Sequence, residues 1–305
     1  TALWAALLQA FLGLLQLGPF PGLYFEAAGG GRAIGTFANP NHFASFIAMT
    51  VPLAVLFFRQ SVMSSDARDE KRRRHQPMGV VWGVVVFIML AAVLASGSRG
   101  GTVTTLAVLL FAVLLLRRRR NRHERRWAMA GILFVLGLVA FAVGLDTIVS
   151  RFESDQTGYF AGDRWQMIVN AWRAAVVFWP FGAGLGTFSS VFPAFHPVGL
   201  GGFVEHAHND YVQLLMEGGL LAVVLALIAL HQVTRQVLVL ARRDRQVGLD
   251  QQTMFQVACG IGLLAVVLHS WVDFNYRIPA NAMLAAFLFG AFLRPVALPS
   301  SRGAG

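Results

Sequence analysis

The residues whose types could do chemistry gather between Asp146 and Glu217, the only long stretch of this 305-residue chain without a membrane-length apolar run. That stretch holds Arg151, Arg164, Arg173, His196, His206 and His208, together with seven of the fifteen acids. Near its end stands His206-Ala207-His208-Asn209-Asp210-Tyr211. An imidazole suits proton abstraction from a hydroxyl near neutral pH, and a nearby carboxylate can orient it or raise its basicity. His206, His208 and Asp210 also invite a zinc reading. They lack a helical i,i+4 histidine pair and a fourth ligand at an obvious spacing, so neither a metal nor a cofactor is expected.

Four further motifs frame this segment. In Gly35-Thr36-Phe37-Ala38-Asn39-Pro40-Asn41-His42, Asn39 before Pro40 signals a capped helix entrance, or else Asn41 and His42 line a polar site at the membrane surface. In Ser96-Gly97-Ser98-Arg99-Gly100-Gly101, small residues surround an arginine whose fixed fork of donors suits a diphosphate, the favoured reading, with snorkelling to lipid headgroups as the alternative. From Arg164 to Phe178 the apolar residues Trp165, Ile168, Val169, Trp172 and Val176 follow helical spacing, which predicts a helix lying at the membrane interface. Gly182-Ala183-Gly184-Leu185-Gly186 follows no predicted strand, so it reads as a mobile turn and not as a dinucleotide loop. Last, His269 to Pro279 crowds polar groups into a short turn. Asp273 and Arg277 there read as a structural ion pair, with substrate contact as the alternative.

The elements that must position these residues are membrane helices. Apolar residues make up 56% of the chain and charged ones 13%, against roughly 25% charged in soluble domains. Apolar segments near 3–17, 40–58, 79–95, 102–116, 127–145, 218–233, 253–270 and 280–294 predict eight spans. The bilayer obliges them to be helical, since no other open structure satisfies its own backbone there. The expected fold is an all-α polytopic bundle, a single transmembrane domain over 1–305, with a catalytic loop at 146–217. The first span begins almost at Thr1, so earlier spans are expected to precede it.

A net charge of +10 first suggests nucleic acid, but its distribution argues against that. Nineteen of the 25 Lys and Arg residues lie at 59–74, 117–126, 235–245 and 294–302, all on one side of the predicted spans. By the positive-inside rule that side is cytoplasmic and the runs are topogenic and lipid-facing. The opposite side keeps only Arg32, Arg99, Arg151, Arg164, Arg173 and Arg277, beside the long loop. The lone Cys259 lies inside an apolar span and reads as core.

Taken together, Gly-Thr-Phe-Ala-Asn-Pro-Asn at 35–41, Ser-Arg-Gly-Gly at 98–101, Arg164-Trp165, Gly182-x-Gly184, His208-Asn209 followed by Gly219, and Asp273 with Pro279 resemble the O-antigen ligase and polymerase superfamily. The motifs spread over about 245 residues in the same order. The resemblance implies metal-independent, inverting glycosyl transfer from an undecaprenyl-diphosphate-linked glycan to lipid A-core or to another glycan. It implies a multi-pass protein of the bacterial inner membrane with its site on the periplasmic side. By position His208 matches the base of that family, and Arg99 and Arg164 match the arginines that hold the diphosphate. Arg151, His206, Asn209, Asp210, Asn41, Asp273 and Arg277 are the further candidates for substrate contact. The expected partners are the lipid-linked donor, the acceptor and membrane lipids, with no nucleic acid. A different class, a transporter of lipid-linked sugars, fits the same spans, but transporters place charged or helix-breaking positions near the bilayer midplane.

Overall fold

A computed structural model describes residues 1–18, 31–65, 76–116, 159–197 and 202–296. Among the described residues all regular structure is helical: α1 (Ala2–Leu17), α2 (Pro40–Ser65), α3 (Gln76–Ala95), α4 (Arg99–Leu115), α5 (Tyr159–Val177), α6 (Phe188–Val191), α7 (Asp210–Gln246), α8 (Gln251–His269) and α9 (Pro279–Phe292). Short 3-10 turns follow α6, at Phe192–Phe195, and precede α9, at Asn275–Arg277. Segments within α2, α3, α7 and α8 are long and apolar enough to cross a membrane, and α1, α4 and α9 are shorter apolar helices. Seven of the eight expected spans thus coincide with helices, in a multi-pass membrane protein. The span expected at 127–145, and Arg151, lie outside the described residues.

The buried axis of the bundle is α2, which packs against α1, α3, α4, α8 and α9. Its start follows from the sequence. Pro40 opens the helix, where a missing N–H costs nothing, and the Asn39 side chain accepts from the Asn41 amide at 2.8 Å. Small residues then let neighbours close in: a Cβ on Gly101 of α4 would sit 2.5 Å from that of Ala44. Two glutamines one heptad apart on α1 fix the approach to α2. Gln9 exchanges hydrogen bonds with Thr36, 2.7 and 2.8 Å long. Gln16 donates to the Gly35 carbonyl at 2.7 Å and accepts from the amides of Ile34 and Gly35. Amide side chains are suited to this task because each supplies both a donor and an acceptor to a loop that lacks regular partners.

The bundle has two polar ends. At one, Gln236 and Gln256 donate to the carbonyls of Phe292 and Arg294, and Arg243 pairs with Asp250 at 2.7 Å. At the other, the start of α2, the turn before α4, the start of α7 and the turn from Ser270 to Ile278 converge. There α5 packs its Met167, Ala171, Ala174 and Ala175 face on Phe188, Phe192, Ala207 and Met216. Its opposite stripe, Trp165, Trp172 and Val176, stays exposed, as a helix resting on a membrane surface requires.

The glycine turn after α5 differs from expectation, because backbone hydrogen bonds hold it in place. Ala183 and Gly184 donate to the carbonyls of Met216 and Glu217, both at 2.9 Å, and Leu220 donates to Pro180 at 2.8 Å. This backbone-on-backbone contact breaks α7 at Gly219, whose φ of 52° and ψ of −136° lie outside the helical region. Nine residues at the head of α7 are thereby set off from its membrane-crossing part. A side chain at 219 would run into the Pro180 carbonyl. We predict that Gly219→Ala lowers stability by at least roughly 1–3 kcal/mol from backbone strain alone, whereas Gly290→Ala, where a Cβ meets open space, is tolerated. Thermal unfolding in detergent checks this, and equal midpoints for the two variants would contradict it.

Candidate functional site

Asp273 stands at the centre of the polar end. Its side chain is 1% exposed, so donors must replace the water that a charged carboxylate would otherwise hold. Asn41 Nδ2 donates to Oδ2 at 2.7 Å, and the Phe274 amide donates to Oδ1 at 2.9 Å. His208 Nδ1 faces the same Oδ1 at 3.4 Å and His42 Nε2 faces it at 3.6 Å. Burial alone would push this carboxyl up, but the two imidazoles beside it, His208 and His42, outweigh burial and hold it below the usual carboxylate range. Asp273 is therefore an anion over the whole physiological range, and it sits on His208.

His208 is placed by strain and by capping. Its φ of 51° is in the left-handed region, uncommon for a residue with a side chain and a frequent mark of functional positions. Directly after it, Asn209 caps α7, accepting from the amides of Tyr211 and Val212 at 3.0 and 3.1 Å and donating to the Trp271 carbonyl at 3.0 Å. Asp210 follows, with its amide on the Ser270 carbonyl and its Oδ2 taking the Tyr276 amide at 2.9 Å. Asn209 and Asp210 thus tie the start of α7 to the 270–278 turn. That tie brings His208 to Asp273. Nδ1 faces the carboxylate at 3.4 Å, and a tautomer with its proton there leaves the Nε2 lone pair turned away, an arrangement that a general base can use.

Phe274 is the other organiser. His206 stacks on its ring with centroids 4.2 Å apart, and His42 and His208 meet it edge-on at 4.6 and 5.0 Å. Burial lowers the affinity of His206 for a proton, and the nearby Arg277 lowers it further. His206 Nδ1 contacts Gln213 Nε2 at 3.2 Å, and Gln213 in turn accepts from the Ala207 amide and donates to Glu217 Oε1. Tyr276, whose phenol burial pushes up to about 12, keeps its proton, whereas burial raises the Asp210 carboxyl to about 6.

Arg277 pairs with Glu217, and the expected pair with Asp273 does not form. Arg277 Nη2 lies 2.7 Å from Glu217 Oε2, and the Glu217 side chain has no exposure. The amides of Gly186 and Phe188 also donate to Glu217, at 3.1 and 3.3 Å. The physical reason is geometric. Asp273 turns inward among histidines, while Arg277, at the end of its 3-10 turn, meets the head of α7. Glu217 and Gln213, one helical turn apart, escaped the sequence reading, as did Phe274. The i,i+4 spacing of Gln213 and Glu217 just before Gly218-Gly219 was the available signal.

Arg99 and Arg164 stand at the same end. Ser98 caps α4 by accepting from the Gly101 amide at 3.1 Å, which puts Arg99 in the first helical turn, exposed. Gly100 beside it permits close contact with α8, for a Cβ there would be 2.8 Å from His269 Nε2. Arg164, exposed on α5, acts electrostatically on that same His269, as do Asp273 and His42. Arg173 donates to Asn170 and His196 contacts the carbonyls of Pro197 and Gly202, so both serve their own segment. Removing the Arg277 cation strands the buried Glu217 charge. Because Arg277 is 23% exposed, we expect Arg277→Met to cost toward the lower end of roughly 3–5 kcal/mol; an unshifted unfolding midpoint would count against this.

Residues 84–227 match the family model described as O-antigen ligase. No curated protein matches the chain. The matched segment contains Arg99, Arg164, His206, His208 and Glu217, while Asn41, His42 and the whole 270–278 turn lie outside it. Residues 84–227, set within a helical membrane architecture, are thus similar to the O-antigen ligase family.

Proposed function

We propose that the protein is a metal-independent, inverting glycosyltransferase that moves a glycan from undecaprenyl diphosphate to an acceptor hydroxyl on the periplasmic face of the bacterial inner membrane. The observation that carries this reading is the His208–Asp273 pair, 3.4 Å between nitrogen and oxygen, at the same end of an apolar bundle as Arg99 and Arg164. The acceptor is lipid A-core in a ligase and another lipid-linked glycan in a polymerase.

Each group has a definite task. The donor's polyprenyl chain lies among or beside the apolar helices, and its diphosphate meets Arg99 and Arg164 at the membrane boundary. His208 Nε2 takes the proton of the acceptor hydroxyl as that oxygen attacks the anomeric carbon. The bond from carbon to the diphosphate oxygen breaks, and its electron pair leaves with undecaprenyl diphosphate. Attack opposite the leaving group inverts the anomeric centre. Negative charge grows on the diphosphate as the bond breaks, so fixed guanidinium groups favour the transition state over the ground state. Asp273 stabilises the imidazolium that forms on His208. Asn41, Asn209 and Asp210 hold this arrangement through Asp273 and the 270–278 turn, and His206 and Arg277 face the acceptor side.

The test is transfer of radiolabelled glycan from undecaprenyl diphosphate by the full-length protein in membranes, with lipid A-core added as acceptor. Label on lipid A-core identifies a ligase, and a ladder of lengthening lipid-linked chains identifies a polymerase. His208→Ala is expected to lower either product by roughly 10²–10⁴-fold, and Arg164→Ala by roughly 10²–10³-fold, with normal membrane insertion. Undiminished product from His208→Ala, or no product from the wild type, would overturn the proposal and return a lipid-linked sugar transporter to consideration.

A further inference from the structure

We propose that His42 is a positioning residue for the base, an inner imidazole that shares the Asp273 oxygen with His208 and so sets how strongly His208 holds the proton it takes. This inference rests on the reading of His208 as the base. It concerns a residue of α2, outside the segment that matches the O-antigen ligase model.

The geometry separates the two histidines. His208 keeps 24% of its side-chain surface exposed and can meet a substrate hydroxyl, whereas the His42 side chain is 4% exposed. His42 is also fixed in place, with its ring edge-on to Phe274 at 4.6 Å and its carbonyl accepting from Asn281 Nδ2 at 3.2 Å. Both rings address Asp273 Oδ1, His42 through Nε2 at 3.6 Å and His208 through Nδ1 at 3.4 Å. Asn41, the neighbour of His42, takes Oδ2 at 2.7 Å. The first turn of α2 therefore holds Oδ2 through Asn41 and brings His42 close to Oδ1, the oxygen that His208 also faces.

The sign of the effect follows. When His208 accepts a proton, Asp273 stabilises the resulting cation. A neutral His42 with Nε2 3.6 Å from Oδ1 turns a polar ring edge toward that negative charge and competes for it, and a protonated His42 would oppose the new cation directly. In both states His42 makes His208 release its proton more readily than Asp273 alone would allow, as a base that must turn over requires. The other charged or titratable groups around His208 are His206, Glu205 and Asp210 near the start of α7, His269 at the end of α8, Arg277 in the 270–278 turn and Arg164 on α5. Of these, His269 also feels the charge of His42; the others keep their own contacts when residue 42 is substituted.

The test compares the full-length wild type, His42→Phe and His42→Gln by the pH dependence of glycan transfer. Phenylalanine keeps the ring contact with Phe274 and removes the donor, and glutamine restores an N–H near the place of Nε2. Losing the donor leaves more of the Asp273 charge to hold the proton on His208, so less of the base is free at a given pH. The low-pH limb of His42→Phe should therefore move upward by roughly half to one pH unit, while the acceptor KM stays within about twofold because His42 touches no substrate. His42→Gln should return the limb toward the wild-type position. A limb unmoved in His42→Phe, or moved equally in both variants, overturns the role of His42 provided that His208→Ala is inactive. An active His208→Ala instead overturns the underlying assignment of the base.

Discussion

A carboxylate taken out of water persists only where donors replace its hydration shell, and Asp273 meets that condition by drawing three distant parts of the chain together. Asn41 in the first turn of α2 and the Phe274 amide of its own turn donate to it, and His42 and His208, the latter in the loop before α7, stand within 3.6 Å. Asn41 and Asp273 are 232 residues apart in sequence. The elements that deliver these donors have little freedom of their own. Gln9 and Gln16 clamp the loop before α2, Asn39 and Pro40 start the helix, and Asn209 caps α7 while holding the Trp271 carbonyl. One buried charge thereby fixes where an apolar bundle ends in a polar site.

The same logic recurs around Glu217, which is as deeply buried and is likewise surrounded by donors, among them Arg277 and two backbone amides. It joins the glycine turn after α5, the head of α7 and the 3-10 turn before α9. Through Gln213 it also reaches His206 and Ala207. Two buried carboxylates thus bracket the His206-Ala207-His208 segment, one holding His208 and the other supporting His206. Under the proposed function, such a site is organised before substrate arrives, which suits catalysis by fixed dipoles and charges. The left-handed backbone of His208 and the break at Gly219 are local costs of that organisation.

Much of this fold is legible in the sequence because its signals are local. Apolar runs of bilayer length marked α1 to α4 and α7 to α9, and the Trp165, Trp172 and Val176 stripe marked α5. The capped entrance at Asn39-Pro40 is present, and it aims Asn41 and His42 at Asp273. What stayed hidden depends on contacts distant in the chain. Periodicity cannot tell that Asp273 turns toward His208 while Arg277 turns toward Glu217, and composition made the Gly182–Gly186 turn look loose although it rests on the α7 backbone. Asn209 and Asp210 were noticed for their chemistry, and their geometry makes them the ties that place the histidine before them.

The most direct measurement of the central claim is the rate of glycan transfer by full-length Asp273→Asn alongside donor binding by the same variant. The substitution keeps the shape of the side chain but removes the charge that orients His208 and stabilises its protonated form. The account predicts a loss of roughly 10³–10⁴-fold in transfer with donor binding retained, since Arg99 and Arg164 are untouched. Transfer within a few-fold of the wild type would contradict it, because Asp273 would then be a structural anchor with no part in activating the base.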